Sequence, residues 1–184
     1  AKLRVIKKDS DTKQTVLVPN AEFKIFNLDK NEYVTQYTTY PSKVKHTSFF
    51  TDEDGDLILP EALKIGNYRI EEVKAPFGYV VNDNYINISV DTDTAFETDG
   101  DTNDAIITVE YSDAPAVGEL TVEKKGEVLD GFKGGLFANS EDKEFVYKEG
   151  SLAGAVFKVY AAEDIFTADN QKDADGNRTK YYSK

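Results

Sequence analysis

The chain has 184 residues, 40% hydrophobic and 30% charged, enough to bury the core of one large domain or two small ones. A formal charge of −12 argues against binding to nucleic-acid backbones or anionic membranes, and no apolar run approaches the ~18 residues of a membrane span. Cysteine is absent and His46 is the single histidine, which removes disulfides, thiolate nucleophiles and cysteine metal centres and leaves little room for a Ser-His-Asp triad.

The start carries no signal-peptide h-region, as expected of a mature or excised fragment. The first run, L-R-V-I-K-K-D, predicts a strand with Leu3, Val5 and Lys7 on one face. Ser10-Asp11-Thr12 makes a turn, T-V-L-V-P-N follows, and A-E-F-K-I-F alternates with Ala21, Phe23 and Ile25 inward. A turn-rich gap from Asn27 to Asn31 precedes E-Y-V-T-Q-Y-T-T-Y, predicted as one strand over 32–40. His46 lies in the polar stretch K-V-K-H-T and is expected at the surface. T-D-E-D-G-D turns at Gly55, L-I-L is a short strand, and P-E-A-L-K-I-G has room for one helical turn ended by Gly66.

Next comes Y-R-I-E-E-V-K-A-P-F-G-Y, residues 68–79, a strand stopped by Ala75-Pro76 with a turn at Gly78. Its phase puts Glu72 on the face of Tyr68 and Ile70, where a carboxylate is costly unless paired or neutral. A register off by one would instead leave Glu71 and Glu72 both solvated. Y-I-N-I-S-V and A-I-I-T-V-E-Y-S complete the set, the latter ending at Asp113-Ala114-Pro115. Short alternating strands with turn signals about every ten residues indicate an all-β, antiparallel β-sandwich.

Residues 91–104, D-T-D-T-A-F-E-T-D-G-D-T-N-D, hold six acids and no base. Asp99, Asp101 and Asn103 at alternate positions are weak candidates for calcium, with Glu110 eleven residues after Asp99. Asp104 occupies the sixth position, where an EF-hand needs glycine, and the competing expectation is a solvated hairpin loop. D-A-D-G-N at 173–177 is expected to be a turn rather than a metal site.

After Pro115 the pattern restarts. G-E-L-T-V-E-K-K places Leu120, Val122 and Lys124 as Leu3, Val5 and Lys7 stand, 117 residues earlier, and A-V-F-K-V at 155–159 repeats A-E-F-K-I. Two tandem immunoglobulin-like domains follow: residues 1–115 complete, and 116–184 the N-terminal part of a second, with an insertion at about 126–150.

Lys7 and Glu72 thus fall on buried faces, Asp113 ends a third strand, and Lys124 repeats the position of Lys7. Burial disfavours the charged forms, and a neutral amine beside a neutral acid is a nucleophile beside an electrophile. With another carboxyl to move the proton, the product is an amide and one water: an isopeptide crosslink.

The chain resembles the Cna B-type (SpaA-like, prealbumin-like) domains of Gram-positive pilins and surface adhesins. The likeness lies in L-R-V-I-K-K-D, A-E-F-K-I, T-D-E-D-G-D-L-I-L, L-K-I-G-N-Y-R-I-E-E-V-K-A-P-F-G-Y and Y-S-D-A-P-A-V-G-E-L-T-V-E-K. It implies Lys7 as amine, Glu72 as catalyst and Asp113 as acceptor, releasing water where the commoner Asn releases ammonia. Lys8 is the rival amine, but phase with Leu3 and Val5 favours Lys7. Lys124 would be the second domain's amine, and Glu71 takes the solvated role beside Glu72. P-N-A at 19–21 departs from the family's L-x-G-A. Y-P-S-K at 40–43 faintly resembles the pilin motif that offers a lysine to sortase, here Lys43, without the expected asparagine.

The implied function is a structural stalk of a Gram-positive pilin or adhesin, extracellular and anchored to the cell wall outside this fragment. Its partners would be neighbouring domains or pilus subunits. The alternative is a ligand-binding adhesin module whose loops grip a host matrix protein or glycan. A hydrolase is disfavoured, with no cofactor or nucleophile motif, and self-crosslinking would be a single turnover.

Overall fold

A computed structural model describes residues 1–134, 139 and 144–183. Strand β1 (Lys2–Asp9) alternates half-buried and buried along its whole length, with Leu3, Val5, Lys7 and Asp9 all inward. Its neighbours in a four-stranded sheet are β11 (Ala105–Asp113) on one side and β7 (Asp56–Ile58) on the other, with β10 (Glu97–Thr98) outside β11. Arg4 Nε donates to Asp56 Oδ2 at 2.5 Å and ties β1 to β7.

The facing sheet is built on β2 (Glu22–Asn27), where Ala21, Phe23 and Ile25 are fully buried, and on β8 (Gly66–Lys74). Its order is β3 (Glu32–Tyr33), β2, β8, β9 (Ile86–Val90), and β6 (Phe49–Phe50) also pairs with β2. Leu3, Val5 and Leu57 from the first sheet meet Phe23, Ile25, Tyr68 and Ile70 from the second in one apolar core. The two sheets make a β-sandwich, and the described residues contain no helix.

Four expectations need correction. The sheets are not wholly antiparallel, because β1 and β11 run parallel in unbroken register from Lys2–Ile106 to Asp9–Asp113. Residues 32–40 do not form one strand. Val34 still donates to Ile25 of β2, but β4 (Gln36–Thr38) then leaves to form a separate hairpin with β5 (Val44–His46). His46, expected at the surface, is half-buried there, its Nε2 2.9 Å from Thr38 Oγ1. Residues 60–66 form no helical turn, since tertiary partners take their polar groups. The Gln36 amide bonds both the N–H and C=O of Glu61, Leu63 donates to the Ala1 carbonyl, and Gly66 begins β8.

Beyond Ala116 the structure divides differently from the repeat. Ala1–Ala116 and the segment from Ala161 onward form one compact unit, and Val117–Tyr160 forms another. Within the latter, β12 (Lys125–Lys133) and β13 (Glu144–Ser151) make an antiparallel hairpin over the predicted insertion, with a bulge between Leu129 and Gly131. Residues 118–124 and 155–159, expected to repeat β1 and β2, are not strands here. Leu120, Val122, Val156 and Val159 are exposed, and an alternating pattern becomes a strand only beside a ladder that can pair with it. In the first unit, β14 (Ile165–Phe166) pairs with β15 (Lys180–Tyr182) around a turn at Gly176.

Candidate functional site

The site lies where β1 and β11 end together. Parallel register sets Lys7 opposite Tyr111 and Asp9 opposite Asp113, all pointing inward. Lys7 and Asp113 are therefore diagonal neighbours on one face. From the other sheet β8 brings Tyr68, Ile70 and Glu72 inward, with Glu72 beside Phe23 in the β2–β8 ladder.

The side chains of Lys7, Glu72 and Asp113 are completely buried. Lys7 Nζ is 2.9 Å from Glu72 Oε1 and in direct contact with Asp113 Oδ1. None of Lys7 Nζ, Glu72 Oε1 or the two Asp113 oxygens makes a hydrogen bond of ordinary geometry. Tyr111 and Phe23, packed edge-on at 5.1 Å, wall the amine with ring centres 4.7 and 5.7 Å from Nζ. Glu72 is aimed by its second oxygen, Oε2, which accepts the Asn82 N–H at 3.1 Å. Burial pushes the Asp113 carboxyl up to about 7, although Lys7 pulls the other way, and burial also pushes the Tyr111 hydroxyl up to about 12. Lys8, the rival amine, points away from this cluster, 3.2 Å from Thr15 Oγ1 and 3.4 Å from Glu110.

Two further residues belong here and were not singled out from sequence. Asp9 continues the inward phase of Leu3, Val5 and Lys7, and that phase was the available signal. Its Oδ1 accepts the N–H groups of Asp11 and Thr12 at 2.8 and 2.9 Å, and its Oδ2 accepts the Tyr79 hydroxyl at 2.7 Å. Burial first, then that bond to Asp9, pushes the Tyr79 hydroxyl far above its ordinary value. The chain around Tyr79 also grips the end of β11. Val80 donates to Ala114 at 3.0 Å and Ala116 to Gly78 at 2.8 Å. Gly78, at φ +89°, makes the turn that permits this.

Glu71 is not solvated as expected. On the outer face of β8 its Oε1 receives Arg69 Nε at 2.7 Å and its Oε2 receives the Tyr33 hydroxyl at 2.9 Å, leaving the residue 8% exposed. Arg69 lies between the rings of Phe26 and Tyr85, 4.9 and 4.5 Å from their centres. The carboxylate is accommodated because it is fully paired with Arg69 and Tyr33.

The other candidates lie elsewhere. Lys124 is exposed, and its carbonyl accepts the Leu152 N–H. Asp99 Oδ1 accepts the N–H groups of Asp101 and Thr102 and the Thr102 hydroxyl, which lowers its pKa, and Asn103 completes the turn at φ +58°. Asp104 pairs with Lys2. Lys43 lies exposed with its ammonium 4.7 Å from the Tyr37 ring centre. Asp173 closes its own turn by accepting the N–H groups of Asp175 and Asn177.

With strand order and site in view, the class is a prealbumin-like sandwich carrying a buried amine between two carboxyls. A family model described as SpaA, prealbumin-like fold domain, matches residues 1–104, and the chain belongs to that family. Among solved structures it is similar to the pilus 2b backbone protein of group B streptococcus, at 23% identity over 62% of this chain and 40% of that one, TM-score 0.47. A minor pilin of Streptococcus agalactiae aligns at 12% identity over 67% and 48%, TM-score 0.48. The shaft pilin SpaA of Lactobacillus rhamnosus GG aligns at 21% identity over 65% and 47%, TM-score 0.44. The chain thus spans between two fifths and one half of the length of these pilins. No curated protein matches the sequence.

Proposed function

We propose that this protein is a stalk segment of a Gram-positive surface pilin or adhesin, braced by an isopeptide bond that Lys7 and Asp113 form with Glu72 as catalyst. The observation that carries this is the fully buried contact of Lys7 Nζ with carboxyls of both sheets, in which Nζ, Glu72 Oε1 and both Asp113 oxygens lack any ordinary hydrogen bond. Burial keeps Asp113 protonated near neutrality, so its Cγ is an electrophile. Glu72 takes a proton from Lys7, and the free amine attacks Cγ. Glu72 passes that proton to the departing hydroxyl and takes up the second proton that the nitrogen loses, leaving an amide, one water and a protonated Glu72. The aromatic walls exclude solvent that would hydrolyse or recharge the pair.

A bond from residue 7 to residue 113 links the start of the domain to its end, so tension passes through the amide and skips the strands between. Closing a loop of about 100 residues is worth up to ~4.7 kcal/mol in the chain-entropy model. The larger gain is kinetic, because the sandwich cannot peel from its termini without breaking a covalent bond. Residues from 116 onward would begin a second domain of the same kind, and the setting is the outer surface of a cell wall, where subunits or successive domains are its partners.

Intact mass tests the proposal. The folded protein should weigh one water less than its sequence, and tandem mass spectrometry should find Lys7 joined to Asp113. An unmodified mass in correctly folded protein would overturn it.

A further inference from the structure

The segment after β14 belongs to the second repeat by sequence but packs against the first domain. Gln14–Leu17 runs alongside β1: Asp9 donates to Gln14, and Val16 donates to Lys7. The opposite edge of this stretch faces outward, and Asp169–Gln171 covers it. Leu17 N–H donates to the Asp169 carbonyl at 2.8 Å, Gln171 Nε2 to the Thr15 carbonyl at 2.7 Å, and Asn170 Nδ2 to the Leu17 carbonyl at 3.3 Å. Asp169 is 1% exposed and fully satisfied. It accepts the Thr12 hydroxyl at 2.9 Å, the Thr167 hydroxyl at 2.7 Å and the Gln171 N–H at 3.1 Å. A buried carboxylate with three donors, one of them 157 residues away in sequence, marks a built contact rather than a chance one.

We propose that the outer edge of Thr12–Leu17 is a docking site for Thr167–Gln171 of the following repeat, and that the pair acts as a releasable latch. Backbone groups left open along an extended edge are a liability, and this segment covers them with its own donors and acceptors. The latch joins two points that flank everything from Asp113 to Asp169. In a stalk, which is the function proposed above, tension would open this non-covalent contact before any covalent one and let out the chain held behind it. Extended at ~3.4 Å per residue, the chain between Asp113 and Asp169 is about 190 Å long.

Single-molecule stretching of the whole chain between its ends tests this. The wild type should show a low-force step releasing up to about 190 Å of contour. Asp169→Ala, and separately Thr12→Val on the other side of the contact, should abolish that step. Hydrogen exchange should report a protected Leu17 amide in the wild type, lost in both variants, while β8 amides stay protected and prove the domain folded. Absence of the step in the wild type, or its persistence in both variants, would overturn the latch. Failure of the Lys7–Asp113 crosslink would read differently: a separate release from opening the first domain would appear in every protein.

Discussion

Asp9 and Asp113 stand directly opposite each other at the ends of two parallel strands, both buried, yet they are held in different ways. Asp9 accepts three donors, whereas Asp113 has no well-formed hydrogen bond and lies against the Lys7 amine. One aspartate is a structural anchor and the other lacks such donors, and the difference comes from the turn at Asp11–Thr12 and the hydroxyl of Tyr79.

Replacing Asp113 separates acceptor chemistry from packing. Asp113→Ala and Lys7→Ala should restore the full sequence mass. Asp113→Asn should form the same amide with loss of ammonia, ending at the wild-type crosslinked mass. An Asp113→Asn protein that keeps its full mass while folded would argue against Asp113 as the acceptor.

Glu72→Gln keeps the shape of the site and removes its base. Folded protein should accumulate without the crosslink, and its stability should fall by up to ~4.7 kcal/mol relative to the linked form. Urea titrations of the two species would read this difference directly.

Acidity should matter in a defined direction. Burial raises the Asp113 pKa from 3.8 to about 7, so the folded, unlinked protein binds that proton more tightly than the unfolded chain does. The associated stability is complete below about pH 3.8 and is lost as pH rises through about 7. In unlinked Glu72→Gln, where burial of Asp113 persists, the urea midpoint should drop across that window; a rise would contradict the assignment. Crosslinking of freshly refolded wild type should slow as pH rises through about 7, where the carboxylate replaces the electrophilic acid.

Gly55 is expected to tolerate no side chain. It has φ +80°, its carbonyl accepts the Lys7 N–H, and a Cβ there would lie 2.3 Å from the Val16 carbonyl oxygen. Gly55→Ala should cost more than the ~1 kcal/mol of an ordinary substitution, and should slow crosslinking by shifting Lys7. Thermal melting and a mass time course would check both.

On the outer face of β8, Glu71→Ala should cost about 1–3 kcal/mol, because it strips Arg69 and Tyr33 of their shared acceptor. Tyr33→Phe should cost less, since it removes one donor and leaves the ion pair. Neither should change the mass of the mature protein, which separates this cluster from Lys7, Glu72 and Asp113.

Much of this was legible in the sequence because period-two phase is a strong constraint. Leu3, Val5 and Lys7 share a face by counting alone, as do Tyr68, Ile70 and Glu72, and the structure brings the two ends together. What phase cannot supply is the partner across a ladder. Glu71 was expected in water because its own strand says so; Tyr33, from β3, and the rings around Arg69 bury it. Residues 60–66 had the composition for a helical turn, but the Gln36 side chain took the backbone groups that such a turn would use. Leu120 and Val122 repeat the pattern of β1 faithfully and form no strand, because alternation specifies a face and not the neighbour it needs. The parallel run of β1 with β11 was hidden for the same reason: hairpin signals reveal sequential pairs, and these strands are separated by nearly the whole domain.

That parallel run has a consequence for how the domain meets a pull. The chain enters at the start of β1 and leaves at the end of β11, so a stretching force slides the two strands lengthwise past each other. Every rung from Lys2–Ile106 to Asp9–Asp113 is then loaded at once, instead of being opened one after another as in a hairpin pulled from its mouth. The newly folded domain therefore resists extension in shear from its first moments, and holds Lys7 and Asp113 in place while any slower chemistry between them proceeds.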